Sequence, residues 1–471
     1  MLFPSHFVGL RTTDTICAIS TPSGQGGIAV VRISGVDAYA ICSKILNFKA
    51  MKGRVGETSL FFARIFRGEE ILDEVLVSTF HAPHSYTGED VVEISCHGSL
   101  YIQQEIIKLL IANGCRLAAA GEFTQRAFFN GKLDLSQAEA VADLIAASSS
   151  ASHRVAMQQL RGGVSNELDA LREKLLNFTS LVELELDFAD EDVEFADRTQ
   201  LMDLALQIAA VISRLADSFS VGNAIKNGIS VAIVGETNVG KSTLLNSLLR
   251  EEKAIVSDVH GTTRDAIEDT IVIDGLLFRF VDTAGIRSTN DAIEQMGIER
   301  SFQKIEQAGI ALWVIDLTGD TQETSQLAEQ IINRDRNKKI ILTLNKADML
   351  TEEGIERKTK YYKRFHDDFI VISAKSPTDV AALERKLVET ANIQQTGDNN
   401  VIVTNLRHYE ALKNALTSVE RVIDGMKAGI TGDFLSQDIR ECLSYLNEIT
   451  GQQISTDDVL GNIFKNFCIG K

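Results

Sequence analysis

One octapeptide restricts the folding options of this chain more than any other segment: Gly235-Glu-Thr-Asn-Val-Gly-Lys241-Ser242, directly behind the apolar run Ile229-Ser-Val-Ala-Ile-Val234. A strand, a loop with two placed glycines and a helix in that order make a phosphate-binding P-loop. Gly235 and Gly240 let the backbone curl so that successive N–H groups point inward at phosphates, and the loop ends at the positive end of a helix dipole. Lys241 is placed to reach the outer phosphates and Ser242 to hold Mg2+. Asn238, Val239, Gly240, Lys241, Ser242 and Thr243 are therefore the candidate phosphate-binding residues, with Lys241 also a catalytic candidate.

Three further strings follow strand-like runs in the same order as in guanine-nucleotide domains. Asp282-Thr283-Ala284-Gly285 comes after Leu277-Phe-Arg-Phe-Val281, which places a carboxylate near the metal and a glycine N–H where it senses the third phosphate. Asn345-Lys346-Ala347-Asp348 comes after Lys339-Ile-Ile-Leu-Thr-Leu344. A carboxylate at Asp348 accepts two hydrogen bonds from the N1–H and 2-amino group of guanine, which adenine lacks, so the nucleotide implied is GTP. Ser373-Ala374-Lys375, after Phe369-Ile-Val-Ile372, adds a backbone N–H for the guanine oxygen.

The water-positioning glutamine that follows Asp-Thr-Ala-Gly in Ras-type enzymes is replaced by Ile286, so the hydrolytic machinery differs. Asn238 either caps the P-loop or offers an oxygen to a monovalent cation beside the β- and γ-phosphates, where the cation replaces an arginine finger. Potassium is the natural ion for that role in a cytoplasm. The segment Ser257-Asp-Val-His-Gly261-Thr-Thr-Arg-Asp265 reads as the first switch, with Thr263 as a second Mg2+ ligand.

The P-loop domain needs only the middle third of 471 residues, so about three domains are expected. The sequence predicts a multidomain α/β plus all-α protein: a mixed α/β N-terminal domain over 1–130, a helical domain split between 131–225 and 394–471, and an inserted Ras-like G domain over 226–393. Short β-rich runs mark the first, among them Gly27-Ile-Ala-Val-Val-Arg-Ile33 and Asp90-Val-Val-Glu-Ile-Ser95, whereas apolar residues three and four apart mark the second. A net charge of −18 disfavours an unassisted, nonspecific grip on a nucleic acid backbone. Six scattered cysteines without a C-x-x-C pair argue against a zinc site or a disulfide framework and suit a reduced cytosol. No apolar run approaching a membrane span and no leader are expected, hence a cytoplasmic protein without membrane contact. The acidic run Asp187-Phe-Ala-Asp-Glu-Asp-Val-Glu-Phe195 is given no ligand role.

Other strings carry a resemblance across essentially the whole chain. They are Thr21-Pro-Ser-Gly24-Gln-Gly-Gly27 leading into Val30-Val-Arg32-Ile-Ser-Gly35, then Ser85-Tyr-Thr-Gly-Glu-Asp-Val-Val-Glu93-Ile and Cys96-His-Gly98. Gly121-Glu-Phe-Thr-Gln-Arg126, Asn130-Gly-Lys132-Leu-Asp134 and the terminal Cys468-Ile-Gly-Lys471 complete them. Together they resemble the tRNA-modifying GTPase family called MnmE or TrmE. The resemblance implies a homodimer formed through the N-terminal domain and a heterotetramer with an FAD-dependent MnmG-type partner. That complex installs a carboxymethylaminomethyl or aminomethyl group at C5 of the wobble uridine of certain tRNAs. The one-carbon unit comes from a tetrahydrofolate, and the implied ligand is 5-formyl-tetrahydrofolate or a relative held by Arg32, Glu93, Lys132 and Lys471.

The same resemblance assigns potassium to Asn238, Ser257, Thr262 and the carbonyl of Val259, and magnesium to Ser242 and Thr263. Glu294 takes the water-orienting role that Ile286 cannot, acting through a bridging water. Cys468 sits in a tail directed at the folate pocket, and a neighbouring lysine favours its thiolate. The chain departs from the family pattern at Thr237 and Ala120, where proline is common, and at Ser257, where threonine is usual. The alternative is a regulatory potassium-dependent GTPase acting in ribosome or RNA assembly, but no appended basic RNA-binding module is visible. A folate-dependent transferase with a vestigial G domain conflicts with intact Lys241, Ser242, Thr263 and Asp348.

Overall fold

The computed structural model describes residues 14–46, 58–187, 198–250, 269–281, 308–319, 339–364, 366–393, 401–430, 432–452 and 470. The chain divides into two compact units. One comprises Met1–Ile145, Gln158–Ile212 and Ala411–Lys471, the other Ala146–Met157 and Ser213–Glu410.

The first unit holds a sheet of β1 (Ile16–Ile19), β2 (Gly26–Ser34), β3 (Ser59–Arg67), β4 (Glu70–Phe80), β5 (Val91–Gly98) and β6 (Arg116–Leu117), in the order β3-β4-β5-β2-β1-β6. Its pairs are antiparallel except β1 with β6. Period-two patterning sorts the side chains. On β5, Val92, Ile94 and Cys96 are buried, whereas Glu93, Ser95 and His97 take the opposite face. The buried set packs with Val31 and Ile33 of β2 against α1 (Ala38–Ile45) and α2 (Leu100–Ala112), through Ile41, Ile106 and Leu110.

The helices of this unit include α3 (Glu122–Phe129), α4 (Leu135–Ala146) and the end of α5 (Ser150–Leu160), whose first turns belong to the second unit. The long α6 (Gly163–Asp187) follows, and α7 (Arg198–Asn227) starts here. α6 buries Leu168, Leu171, Leu175, Phe178 and Val182, an apolar stripe at spacings of three and four. α7 contains an 18-residue window of mean hydropathy 1.4, long and apolar enough to cross a membrane by length and composition alone. That corrects the expectation that no run approaches a span. The helix is nevertheless two-faced: Leu201, Ala205, Ile208, Ile212 and Leu215 are buried, while Asp203, Gln207, Ala210, Arg214 and Asp217 form an exposed stripe opposite.

The second unit is built on β7 (Ile229–Val234), β8 (Asp269–Ile273), β9 (Leu276–Phe280), β10 (Ile310–Asp316), β11 (Lys339–Asn345) and β12 (Phe369–Val371), in the order β12-β11-β10-β7-β9-β8. All pairs are parallel except β8 with β9. Central strands covered on both faces need apolar residues at every position. Accordingly Ile310, Leu312 and Val314 of β10 pack on one side with α8 (Lys241–Arg250). Ala311, Trp313 and Ile315 pack on the other. The unit also contains α9 (Glu352–Tyr362) and α10 (Pro377–Ala391). The chain closes with α11 (Leu406–Lys427) and α12 (Gly432–Thr450), the latter packed on α6.

The mixed α/β and helical composition and the P-loop sheet agree with the predicted fold class. β7 has the expected bounds and β11 exceeds its expected run by one residue. β1, β6, β8 and β10 were not singled out in the sequence.

Candidate functional site

In an open parallel sheet, ligands gather beyond the carboxyl ends of the strands, which is where the second unit collects its functional side chains. β7 runs into the P-loop through Gly235 at φ +147, where an added Cβ would stand 2.3 Å from the Val314 carbonyl oxygen. Asn238 is exposed and left-handed at φ +62, and Gly240 lies at φ +101. This succession of positive φ values curls the backbone as anion-binding nests do. Val239 is buried, Ser242 is half-buried and Thr243 exposed on the first turn of α8. Lys241 Nζ donates to the carbonyl oxygens of Gly235 at 2.7 Å and Glu236 at 2.5 Å, so the ammonium lies against the loop it serves.

Asn345 connects this loop to the Ser373-Ala374-Lys375 turn. It is 2% exposed; its Nδ2 donates to Val239 O at 2.7 Å, and its Oδ1 accepts from Ala374 N at 2.9 Å. Ser247 of α8 adds a second tie, donating to Ala374 O at 2.7 Å. The Ser373-Ala374-Lys375 turn is held further by the Ser373 N–H donating to Asp379 Oδ2 at 2.8 Å. Asp348 stands exposed on the short 3-10 turn Ala347–Met349, two residues past Lys346, whose φ is +64. Lys346 Nζ meets Asp316 Oδ2 at 2.6 Å. Burial alone would raise the Asp316 carboxyl, but Lys346 and the hydroxyl and amide of Thr318 outweigh it and hold the group below the usual carboxylate range.

The structure thus brings Val239, Gly240, Asn345 and Ala374 together, with Lys241 and Lys346 close by in the chain. Asp282, Thr283, Ala284, Gly285, Ser257, Val259, Thr262, Thr263 and Glu294 lie outside the described residues. Sequence reading passed over Asp316 and Ser247. Asp316 had a usable signal, a lone carboxylate closing the apolar run Ile310-Ala-Leu-Trp-Val-Ile315.

In the first unit, Arg32 of β2 and Glu93 of β5 are register partners, and Arg32 Nε donates to Glu93 Oε1 at 2.8 Å on the face away from α1 and α2. The guanidinium carbon lies 5.1 Å from the Tyr86 ring centroid and 5.6 Å from that of Phe123. Tyr86 hydrogen-bonds the Thr124 hydroxyl at 2.8 Å, yet burial dominates and pushes its phenol up. Lys132 Nζ donates to Pro83 O at 3.1 Å, in the loop that carries Tyr86.

That loop is anchored by an ion network. Arg126, 4% exposed, contacts Glu89 at 3.2 Å, Glu122 at 3.0 Å and Asp14 at 2.7 Å. Arg116 meets the same Asp14 and Glu122 at 2.6 and 2.5 Å. Gly470 packs against the end of β1, its carbonyl accepting from Ser20 Oγ at 2.9 Å, but Cys468 and Lys471 beside it lie outside the described residues.

Two family models match the chain. Residues 15–132 match the family described as the GTP-binding protein TrmE N-terminus, and residues 135–468 match the MnmE helical domain. A protein of Bacteroides thetaiotaomicron called tRNA modification GTPase MnmE is 57% identical over 464 residues, covering 97% of this chain and 99% of that protein. One of Parabacteroides distasonis with the same name is 55% identical over 463 residues, covering 97% and 100%. Among solved structures, the G domain of the T. maritima FeoB iron transporter is 21% identical, covering 35% of this chain and 99% of that one at a TM-score of 0.26.

Proposed function

The chain belongs to the MnmE family of tRNA modification GTPases, and on that footing we propose that it is the GTP-hydrolysing component of a complex that adds a carboxymethylaminomethyl or aminomethyl group to C5 of the wobble uridine of certain tRNAs. The observation that carries the nucleotide side of this reading is the Asn345 bridge, because one buried amide sets the spacing between the phosphate loop and the turn that meets the base. Catalysis then rests on positioning and charge. Backbone N–H groups of 238–243 cradle the phosphates, and Lys241 exchanges its two carbonyl acceptors for phosphoryl oxygens. Asp348 selects guanine. Glu294 orients the attacking water in place of Ile286.

The described residues fit the proposed ions. Ser242 offers a hydroxyl to magnesium on the first turn of α8, joined by Thr263 from the first switch. Asn238, exposed and left-handed, offers its amide oxygen to potassium, with Ser257, Thr262 and the Val259 carbonyl completing the set.

The first unit fits a tetrahydrofolate. Arg32 spends its inner nitrogen on Glu93, which directs the outer guanidinium fork at a ligand anion, and aromatic Tyr86 and Phe123 flank it. Glu93 serves as acceptor for the pterin N–H groups, and Lys132 and Lys471 complement the glutamate carboxylates. The folate, when bound, supplies the one-carbon unit; the chain orients it. Cys468 is proposed to act at this pocket. A homodimer joined through the N-terminal domain, a heterotetramer with an FAD-dependent partner, tRNA as substrate and a cytoplasmic location complete the proposal.

The regulatory-GTPase alternative accounts for the second unit and leaves the Arg32–Glu93 site without a purpose. The test is mass spectrometry of digested tRNA nucleosides from cells deleted for this chain and from the same cells with it restored. The 5-substituted wobble uridine is expected to vanish and return; an unchanged nucleoside profile would overturn the reading.

A further inference from the structure

We infer that Asp316 is a positioning residue for guanine recognition, acting through Lys346. The inference rests on the guanine-nucleotide reading above and adds a residue that neither the motif nor the family resemblance includes.

Asp316 ends β10 and is the register partner of Asn345 at the end of β11, so it stands at the rim of the base side. The two carboxylate oxygens are used differently. Oδ1 accepts from the Thr318 amide at 2.8 Å and the Thr318 hydroxyl at 2.6 Å, which fixes the plane of the carboxylate. Oδ2 is thereby aimed at Lys346 Nζ, 2.6 Å away. The loop carrying Thr318 is itself held: Lys358 of α9 donates to Gly319 O at 2.8 Å and to Leu317 O, and the Leu317 N–H donates to Asn345 O at 3.0 Å.

Lys346 lies between the amide that ties the two loops, Asn345, and the base acceptor, Asp348. Its backbone is left-handed, and the Ala347 N–H after it donates to Ile372 O at 3.2 Å. With the Cα end fixed by the turn and the ammonium fixed by Asp316, the methylene stem between them is held at both ends before any base arrives. A lysine side chain carries about 2 kcal/mol of rotamer entropy, and a group ordered in advance does not lose that freedom on binding. The stem then forms a preset apolar wall for the purine ring, and Asp348 reads the ring's edge.

The test is a double-mutant cycle on the full chain, with a fluorescent GDP analogue as probe and the melting temperature of the nucleotide-free protein recorded for each variant. Asp316→Asn and Lys346→Met are each expected to raise the dissociation constant about tenfold, and the double variant about tenfold as well, because both remove one constraint. Effects that multiply, or an Asp316→Asn variant that binds like the parent, would overturn the inference. A uniformly structural role would lower the melting temperature in step with the affinity loss and would persist in the Lys346→Met background. Should Asp316→Asn not fold, Thr318→Val reads the same coupling, with an expected two- to threefold loss in the parent and none in Lys346→Met. If the parent itself shows no preference for GDP over ADP, the guanine-pocket reading fails. If it does prefer GDP, and Asp348→Asn moves that preference to xanthine while Asp316→Asn changes nothing, only the present inference fails.

Discussion

Gly240 and Asn345 are fitted to one another: a Cβ on the glycine would stand 2.4 Å from the asparagine's Nδ2, the atom that donates to the Val239 carbonyl. The glycine therefore does two things, adopting φ +101 and leaving room for the amide that joins the P-loop to the Ala374 turn.

Gly240→Ala should for that reason cost about 1–3 kcal/mol of stability through strain alone. It should also weaken GDP binding by at least tenfold as Asn345 is displaced. Chemical denaturation and a fluorescence titration on the same preparation check both. A variant that melts lower and binds normally would show that the Asn345 bridge is unnecessary for nucleotide binding.

Asp348→Asn exchanges a double acceptor for a group with one acceptor and one donor. Hydrogen bonds to a charged partner contribute about 1.5–3 kcal/mol each, so the preference for GTP over XTP should fall by at least two orders of magnitude and favour xanthine. Competition binding with the two nucleotides measures the ratio directly.

Potassium should be replaceable by rubidium but not by sodium in GTP hydrolysis, with about a tenfold or greater loss in sodium. Asn238→Gly keeps the left-handed backbone and removes the side-chain oxygen, so it should abolish the difference between the two salts. If the glycine variant still discriminates potassium from sodium, Asn238 is a loop cap and no ligand.

The first unit should lose stability in acid. Burial by itself would raise the Glu122 carboxyl, but Arg116, the Ala119 N–H and Arg126 overrule it and hold the group below its ordinary value of 4.5. A depressed carboxyl stabilises the fold above that ordinary value, and the contribution is withdrawn as pH falls through the lowered one. Urea midpoints should therefore be flat from neutrality to about pH 5 and decline further down. Glu122→Gln should cost about 3 kcal/mol at pH 7, because Arg116 and Arg126 lose a buried partner. It should also flatten the acid limb of the profile.

Gly470→Ala should uncouple the tail from β1. A Cβ there would lie 2.1 Å from the Ile19 carbonyl oxygen, and φ is +97. Wobble-uridine modification is expected to fall about tenfold, with hydrolysis of GTP by the G domain changed less than twofold. Nucleoside mass spectrometry and phosphate release on the same variant separate the two.

The P-loop and the Asn345-Lys-Ala-Asp348 motif were legible because each sits at the end of a strand whose apolar run is long, Ile229–Val234 and Lys339–Asn345. β1 and β6, four and two residues long, fall below the length at which periodicity speaks, although β1 carries the docking point of Gly470. Asp316 escaped for another reason. Its place at the end of an apolar run was visible, but its contact lies across 30 positions of sequence, with a lysine whose pairing to it no local pattern encodes. Likewise the pairing of Arg32 with Glu93 follows from sheet register, which a single sequence leaves open until the strand order is fixed.

The packing of α6 on α12 has a consequence in time. During synthesis, the stripe Leu168, Leu171, Leu175, Phe178 and Val182 leaves the ribosome roughly 250 residues before Ile439, Cys442, Leu446 and Ile449, which is some tens of seconds at about 5–20 residues per second. The P-loop sheet, whose strands all lie in between, can close its own core during that interval. The nascent chain thus acquires a finished nucleotide domain while a greasy helix still waits for its cover, and it is in this window that a chaperone has the most to hold.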